Sequence, residues 1–137
     1  MPANTTIEKA KEDLREGKSP TTAAGEFVHE EIEHVRRGKH GARSPRQAIA
    51  IGLSKARRAG IPLAPPPKGE ASEKTRRSAK RATAVGQGKR KSNARSKKRA
   101  AASRKALKRE GRGAASKQAL SAQAKRAAAR RRTRARN

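Results

Sequence analysis

The sequence predicts a mainly α-helical protein in which a small three-helix module, residues 1–60, precedes a Pro-rich linker, 61–69, and a basic low-complexity tail, 70–137. Three observations favour this division. Apolar residues recur every three or four positions in the module, which is the spacing of one helix face. Serine, proline and glycine stand where helices begin and end. Residues 1–69 hold 13 basic and 8 acidic side chains, a net of +5, whereas the tail holds 25 and 3, a net of +22.

The first predicted helix runs from Ile7 to Glu16. Thr5 is a suitable N-cap, and Glu8 stands three residues later, where a capping box places its acidic partner. Gly17 follows and is expected to end the helix.

The second predicted helix begins at Pro20 or Thr22, after an N-cap at Ser19, and runs to Arg37 before Gly38. Its pattern is amphipathic. Four apolar residues share one face, with Phe27 on its flank, and three glutamates share the opposite face: Ala24, Val28, Ile32 and Val35 against Glu26, Glu30 and Glu33. The glutamate face is expected either to be solvated or to dock the basic tail when nucleic acid is absent.

The third predicted helix runs from Pro45 to Ala59, with Ser44 as N-cap and Gln47 completing a second capping box. Gly60 ends it, and Ile61 is placed to make the apolar contact of a Schellman motif. The apolar face is formed by Ile49, Leu53 and Ala56, and the adjacent Gly52 leaves room for another helix to approach closely. A module of this size has a small core, so we expect dimerisation or a bound partner to stabilise it.

The linker contains three consecutive prolines, Pro65 to Pro67, which favour a semi-rigid extended spacer. The tail is built mainly of Ala, Lys, Arg, Ser and Gly, and its only large apolar residues are Val85, Leu107 and Leu120. It is therefore predicted to be largely disordered when free. Because Ala, Lys and Arg favour helices, it is expected to become partly helical once phosphates remove the repulsion between its charges. Interruptions are expected at Gly86, Gly88, Gly111 and Gly113.

No catalytic motif survives inspection, so an enzyme is not expected, and no cofactor or metal is predicted. Gly17-Lys18-Ser19 resembles the end of a phosphate-binding loop, but position 12, where that motif needs glycine, is Glu12. The segment from His29 to Glu33 has glutamate where a zinc-protease helix needs its second histidine.

The chain has no cysteine, which excludes disulfides and zinc-thiolate sites. It has no apolar run long enough to span a membrane, and no apolar segment that would predict a secretory signal follows Met1-Pro2.

The strong positive charge predicts a polyanionic partner, and nucleic acid is the expected one. The expected chemistry is phosphate neutralisation with little sequence specificity, which makes binding depend steeply on salt. The scarcity of aromatic residues argues against platforms that stack single-stranded bases. The candidate contact residues are Lys55, Arg57, Arg58, Arg76, Arg77, Lys80, Arg81, Lys89, Arg90, Lys91, Lys97, Lys98, Arg99, Arg104, Lys105, Lys108, Arg109, Lys125, Arg126, Arg130, Arg131, Arg132, Arg134 and Arg136.

A stripe on the third helix raises a separate possibility. Gln47, Ile51, Ser54 and Arg58 follow one another at helical spacing, away from the apolar face. Such a stripe can read bases in a major groove, contact phosphates only, or form a protein-contact face that supports a homodimer.

The segments Gly25–Val35, Gly38–Ser44 and Gln47–Gly60 together resemble a family of small basic bacterial proteins of uncharacterised function, whose members are often described as DNA-binding. The resemblance extends roughly from Ile7 to Lys68, and the tail is similar to linker-histone and bacterial histone-like tails. The resemblance implies a nucleoid-associated, cytoplasmic DNA-binding protein of bacteria. Two alternatives remain open: an RNA- or ribosome-associated basic protein, and a protein-interaction adaptor that its tail localises.

Overall fold

The computed structural model describes residues 3–91 and 97–136, which form six α-helices and confirm the mainly helical prediction. No β-strand occurs in this part of the chain, although Lys68 and Ala71 form an isolated bridge. A short 3-10 turn, Gly113–Ala115, precedes the last helix. The helices are α1 (Asn4–Arg15), α2 (Pro20–Arg36), α3 (Pro45–Arg58), α4 (Glu73–Gly86), α5 (Lys97–Arg109) and α6 (Lys117–Arg136).

The tail is largely helical, so the prediction of a largely disordered tail is wrong. Its described residues contain α4, α5 and α6, and the helices stop at or near the predicted glycine interruptions. The prediction rested on the scarcity of large apolar side chains. Small ones make the buried contacts instead: Ala79, Ala82 and Ala115 are each buried. Alanine, lysine and arginine also have high intrinsic helix propensity, which lowers the free-energy cost of ordering these segments.

The predicted N-caps of α2 and α3 are confirmed. The Ser19 hydroxyl oxygen accepts a hydrogen bond from the Thr22 backbone N–H at 3.2 Å. The Ser44 hydroxyl oxygen accepts one from the Gln47 backbone N–H at 3.3 Å. The Gln47 side chain also reaches back, but its oxygen accepts from the Arg43 N–H at 2.6 Å, one residue earlier than a regular capping box requires.

The predicted N-cap of α1 is wrong, because the helix begins at Asn4 and Ala3 occupies the cap position without a side-chain hydrogen bond. Thr5 therefore lies inside the first turn. The Ala3 N–H donates to a carboxylate oxygen of Glu30 at 3.0 Å, which holds the start of the chain against α2. A contact distant in sequence thus replaces the local cap that the Thr5–Glu8 spacing indicates.

The Schellman ending predicted after α3 is present. Gly60 has φ of +99°, a conformation that disfavours residues with a side chain. The Gly60 N–H donates to the Arg57 carbonyl and the Ile61 N–H to the Ala56 carbonyl, both at 3.1 Å. Ile61 is buried in the same cluster as Ala56, which is the apolar contact that this motif commonly adds.

The described chain divides into two compact units, Met1–Glu31 with Ala50–Arg95 and Ile32–Ile49 with Ser96–Asn137. Each unit combines part of the N-terminal module with part of the tail. The boundary between them runs through α2 and α3, whereas the sequence places its boundaries on either side of the prolines.

The first unit has a core of small side chains around one aromatic ring. Phe27 is only 1% exposed and is among the largest fully buried side chains. The helices α2 and α3 approach closely at Gly52, where a Cβ atom would lie 2.7 Å from the Val28 Cα. Two acidic residues, Asp13 and Glu31, are also buried here, and Glu31 forms an ion pair with Lys55. The buried apolar cluster consists of Ala10, Ala23, Ala24, Phe27, Ala56 and Ile61.

Two arginines hold the Pro-rich segment within the first unit. Arg57 donates from its Nη2 to the Ala64 carbonyl at 2.8 Å. Arg76 donates from its Nε to the Pro66 carbonyl at 3.0 Å. These guanidinium contacts satisfy carbonyl groups that an extended segment cannot pair internally. The segment is therefore fixed to the arginines of α3 and α4.

The second unit is held by backbone contacts as well as by a small apolar cluster. The Gly41 N–H donates to the Leu107 carbonyl at 2.8 Å, and the Ala42 N–H donates to the Gly111 carbonyl at 3.1 Å. A Cβ on Gly41 would collide with the backbone of Glu110, so glycine is required for this close approach. The buried cluster consists of Val35, Ala42, Ala48 and Ala115.

Candidate nucleic-acid interface

The described residues 97–136 form a dense and almost purely cationic surface. They contain sixteen Lys and Arg residues against a single acidic residue, Glu110, a net charge of +15. All sixteen cationic residues are exposed, whereas Glu110 is half-buried. Lys108 and Arg109 lie in the last turn of α5, and Arg134 and Arg136 in the last turn of α6. Positive charge there interacts favourably with the helix dipole, so charge and helix are compatible at these ends.

The last two turns of α6 carry cations in every direction around the helix axis. Residues 129–136 are all exposed, and five of these eight residues are arginine. Successive residues of an α-helix are rotated by about 100°. Arg130, Arg131, Arg132, Arg134 and Arg136 therefore surround the axis rather than forming one stripe. A ligand with phosphates on more than one side can engage more of them than a flat surface can.

Most of the candidate contact residues lie on the surface. Twenty-one of the twenty-four are exposed. They are Arg58, Arg77, Lys80, Arg81, Lys89, Arg90, Lys91, Lys97, Lys98, Arg99, Arg104, Lys105, Lys108, Arg109, Lys125, Arg126, Arg130, Arg131, Arg132, Arg134 and Arg136.

The other three candidates are buried or half-buried, and each has an intramolecular partner. Lys55 pairs with the buried carboxylate of Glu31. Arg76 binds the carboxylate of Glu73 at 3.0 Å in addition to the Pro66 carbonyl. Arg57 is buried, and its removal from water lowers the pKa of its guanidinium from the usual value. These side chains stabilise the first unit and are poorly placed to contact phosphates.

Most of the stripe on α3 that was proposed for base reading has little access to a ligand. Gln47, Ile51 and Ser54 are half-buried, and only Arg58 is exposed. The oxygen of the Gln47 amide is engaged by the Arg43 N–H. A side chain that caps its own helix has less freedom to form the bidentate base contact that glutamine can make.

The glutamate face of α2 makes contacts within the N-terminal module. Glu33 accepts from Arg36 at 3.0 Å, one helical turn away, and Glu30 accepts from the Ala3 N–H. Glu26, Glu30 and Glu33 are all half-buried. Both contacts are with residues of the N-terminal module.

Within the second unit, the structure brings Arg126 and Arg130 of the candidate set together with Arg46 and Gln123, which the sequence analysis did not select. A cavity of about 470 Å³ is lined by Arg46, Gln123, Arg126, Ala129 and Arg130. Arg46 lies in the first turn of α3 and the others lie on α6. Gln123, Arg126 and Arg130 are spaced by three and four residues, which places them on one helix face. That spacing is visible in the sequence, but the approach of Arg46 is not.

No family model, curated protein or solved structure matches the chain. None of the helices in the described ranges combines the length and apolar character that crossing a membrane demands.

Proposed function

We propose that this protein binds nucleic acid, duplex DNA in preference to RNA, and that it is a nucleoid-associated, histone-like protein of bacteria with no enzymatic activity. The observation that carries the proposal is the cationic surface of residues 97–136, with sixteen exposed Lys and Arg residues and one acid. Phosphate contacts of this kind position a protein on nucleic acid without reading its sequence.

The lack of an exposed Phe, Tyr or Trp ring supports a duplex partner. Phe27 is the only Phe, Tyr or Trp in the chain, and it is 1% exposed. Proteins that hold single strands usually stack bases on exposed rings of this kind. Duplex phosphates require only cations at the surface. The half-buried stripe on α3 is in keeping with low sequence specificity.

The proposal predicts a steep dependence of affinity on salt. If about a third of the 25 basic residues of the tail neutralise a phosphate, about eight counterions are released. The slope of log K against log salt is then about −7 on duplex DNA. Raising salt from 50 to 200 mM should weaken binding by about four orders of magnitude.

A charge-matched pair of variants of the full chain tests where binding occurs. Replacing Arg131, Arg132 and Arg136 of α6 by glutamine removes three exposed charges. Replacing Lys9, Lys11 and Arg15 of α1 by glutamine removes three exposed charges from outside the proposed surface. Fluorescence anisotropy with a 20-base-pair duplex and with an RNA hairpin gives the affinity across the salt series.

If all three arginines contact phosphates, the α6 variant should reduce the magnitude of the salt slope by about 2.7, while the α1 variant leaves the slope near that of the wild type. Equal losses from the two variants would show that net charge alone matters. The proposal fails if the wild type binds neither nucleic acid at 50 mM salt. Tighter binding to the hairpin at matched salt would replace DNA by RNA as the partner.

A further inference from the structure

The cavity of the second unit is lined by three arginines and has no carboxylate among its lining residues. Arg46, Arg126 and Arg130 share it with Gln123 and Ala129. Arg46 also lies in the first turn of α3, at the end of the helix dipole that carries partial positive charge. Mutual repulsion among the arginines is unfavourable while the cavity holds no anion. An anion in this position would attract each arginine and offset this repulsion.

Gln123 provides an independent observation that points to a ligand. Its side chain is 8% exposed, it lines the cavity, and its Oε1 atom is buried without a hydrogen-bond partner in the described structure. Buried polar atoms are nearly always paired, so this amide lacks something that a ligand can supply. Rotation of the amide by 180° exchanges Oε1 and Nε2, so the same side chain can offer an N–H donor to an anion.

We propose that Arg46, Gln123, Arg126 and Arg130 form a binding site for a phosphate group. A guanidinium offers parallel N–H donors whose geometry matches two phosphate oxygens, and Arg is preferred wherever such recognition is needed. The site deepens the function proposed above and rests on it where the phosphate belongs to a nucleic-acid backbone. The same chemistry would hold a free phosphate or pyrophosphate ion.

The resonances of the Gln123 side-chain amide test the site directly in the full chain. The protein has four glutamines, and the Gln123→Met variant identifies which side-chain NH₂ signals belong to Gln123. Pyrophosphate and a 20-base-pair duplex are titrated separately into the ¹⁵N-labelled protein. Both should shift these signals, and the Arg46→Gln/Arg130→Gln variant should abolish the shifts. Arg46 and Arg130 are exposed, so this variant retains the core, which circular dichroism at 222 nm checks.

Affinity for the duplex provides a second measurement with an equal-charge control. The control replaces Arg104 and Arg109 of α5, which are exposed and outside the cavity, by glutamine. The cavity variant should lose about tenfold more affinity than the control, because charge-assisted hydrogen bonds are lost in addition to charge. The Gln123→Met variant should also bind more weakly, although its net charge is unchanged.

The outcomes separate this site from the general function. A duplex that binds without moving the Gln123 signals, with equal losses from the two double variants, would overturn the site and leave the proposed function standing. Shifts with pyrophosphate but not with duplex support the phosphate site and assign it to free phosphate. Shifts with pyrophosphate in a protein that binds no nucleic acid would retain the site and refute the proposed function. No shift with either probe would refute the site.

Discussion

Gly52 makes the packing of α2 against α3 testable with a single methyl group. A Cβ added at Gly52 would lie 2.7 Å from the Val28 Cα, 2.9 Å from its N and 3.0 Å from its Cγ2. Real Cβ atoms do not approach other atoms below about 3.0 Å, and two of these neighbours are backbone atoms that rotamer changes cannot move. The two helices of the first unit must therefore separate locally to accommodate alanine.

Two opposing effects determine the free energy of the Gly52→Ala variant. Overpacking of a close contact costs about 1–3 kcal/mol. Alanine gains about 1 kcal/mol over glycine in a helix interior. The net change in the free energy of unfolding is therefore a loss of about 0–2 kcal/mol. This range is too close to zero to test the contact by itself.

Gly25→Ala is the control that removes this ambiguity. Gly25 lies inside α2, is exposed, and would place its Cβ where no atom lies within 4 Å. This variant keeps the gain in helix propensity without the collision, so it should be more stable than the wild type by about 1 kcal/mol. The difference between the two variants then measures the overpacking cost of about 1–3 kcal/mol.

Urea unfolding, monitored by circular dichroism, gives the free energy of unfolding of both variants, provided that its dependence on urea concentration has the same slope in each. Gly52→Ala should be the less stable of the two variants. If it were stabilised as much as Gly25→Ala, α2 and α3 would not be in backbone contact at Val28, and the arrangement of the first unit would be wrong.

Three further predictions concern buried side chains, and urea unfolding measures each of them. Phe27→Ala should lower the free energy of unfolding by about 3–5 kcal/mol, and a loss below 1 kcal/mol would contradict the burial of the ring. Glu31→Gln should cost about 1–3 kcal/mol because it leaves the Lys55 ammonium, 26% exposed, without its partner charge. The double variant with Lys55→Met should recover part of that loss, and no recovery would show that the pair does not interact. Gln123→Met should raise stability by about 1–3 kcal/mol because it removes an unpaired buried oxygen, while a loss of stability would indicate that the oxygen has a partner.

Local signals in the sequence were sufficient where a helix begins or ends. Ser19, Ser44 and Gly60 have the roles that their positions predict, because caps depend on residues within one turn. The close approach at Gly52 was also predictable from its position beside the apolar face. The start of α1 could not be predicted from local signals. The Glu30 carboxylate, which accepts the hydrogen bond from the Ala3 N–H, lies 27 residues away.

The order of the tail could not be predicted from the abundance of large apolar residues. Ala79 and Ala82 are buried in α4, where the backbone of Gly86 also approaches Arg57 closely. Contacts between small residues bury little area per side chain, but they bring backbones together and form many short-range contacts. Neither the partners of these residues nor the position of Arg46 beside α6 follows from a periodic pattern, because both depend on tertiary contacts.

The charge of α6 is better explained by a partner than by the stability of the helix. Pairs of arginines four residues apart, such as Arg130 with Arg134 and Arg132 with Arg136, each oppose helix formation by about 0.2–0.5 kcal/mol. A glutamate one turn before an arginine would stabilise the helix instead, and α2 uses that arrangement in its Glu33–Arg36 pair at 3.0 Å. The sequence of α6 contains no acidic residue at all. Phosphates placed around the helix would neutralise these charges and offset the repulsion, so binding would relieve a cost that the isolated α6 helix bears.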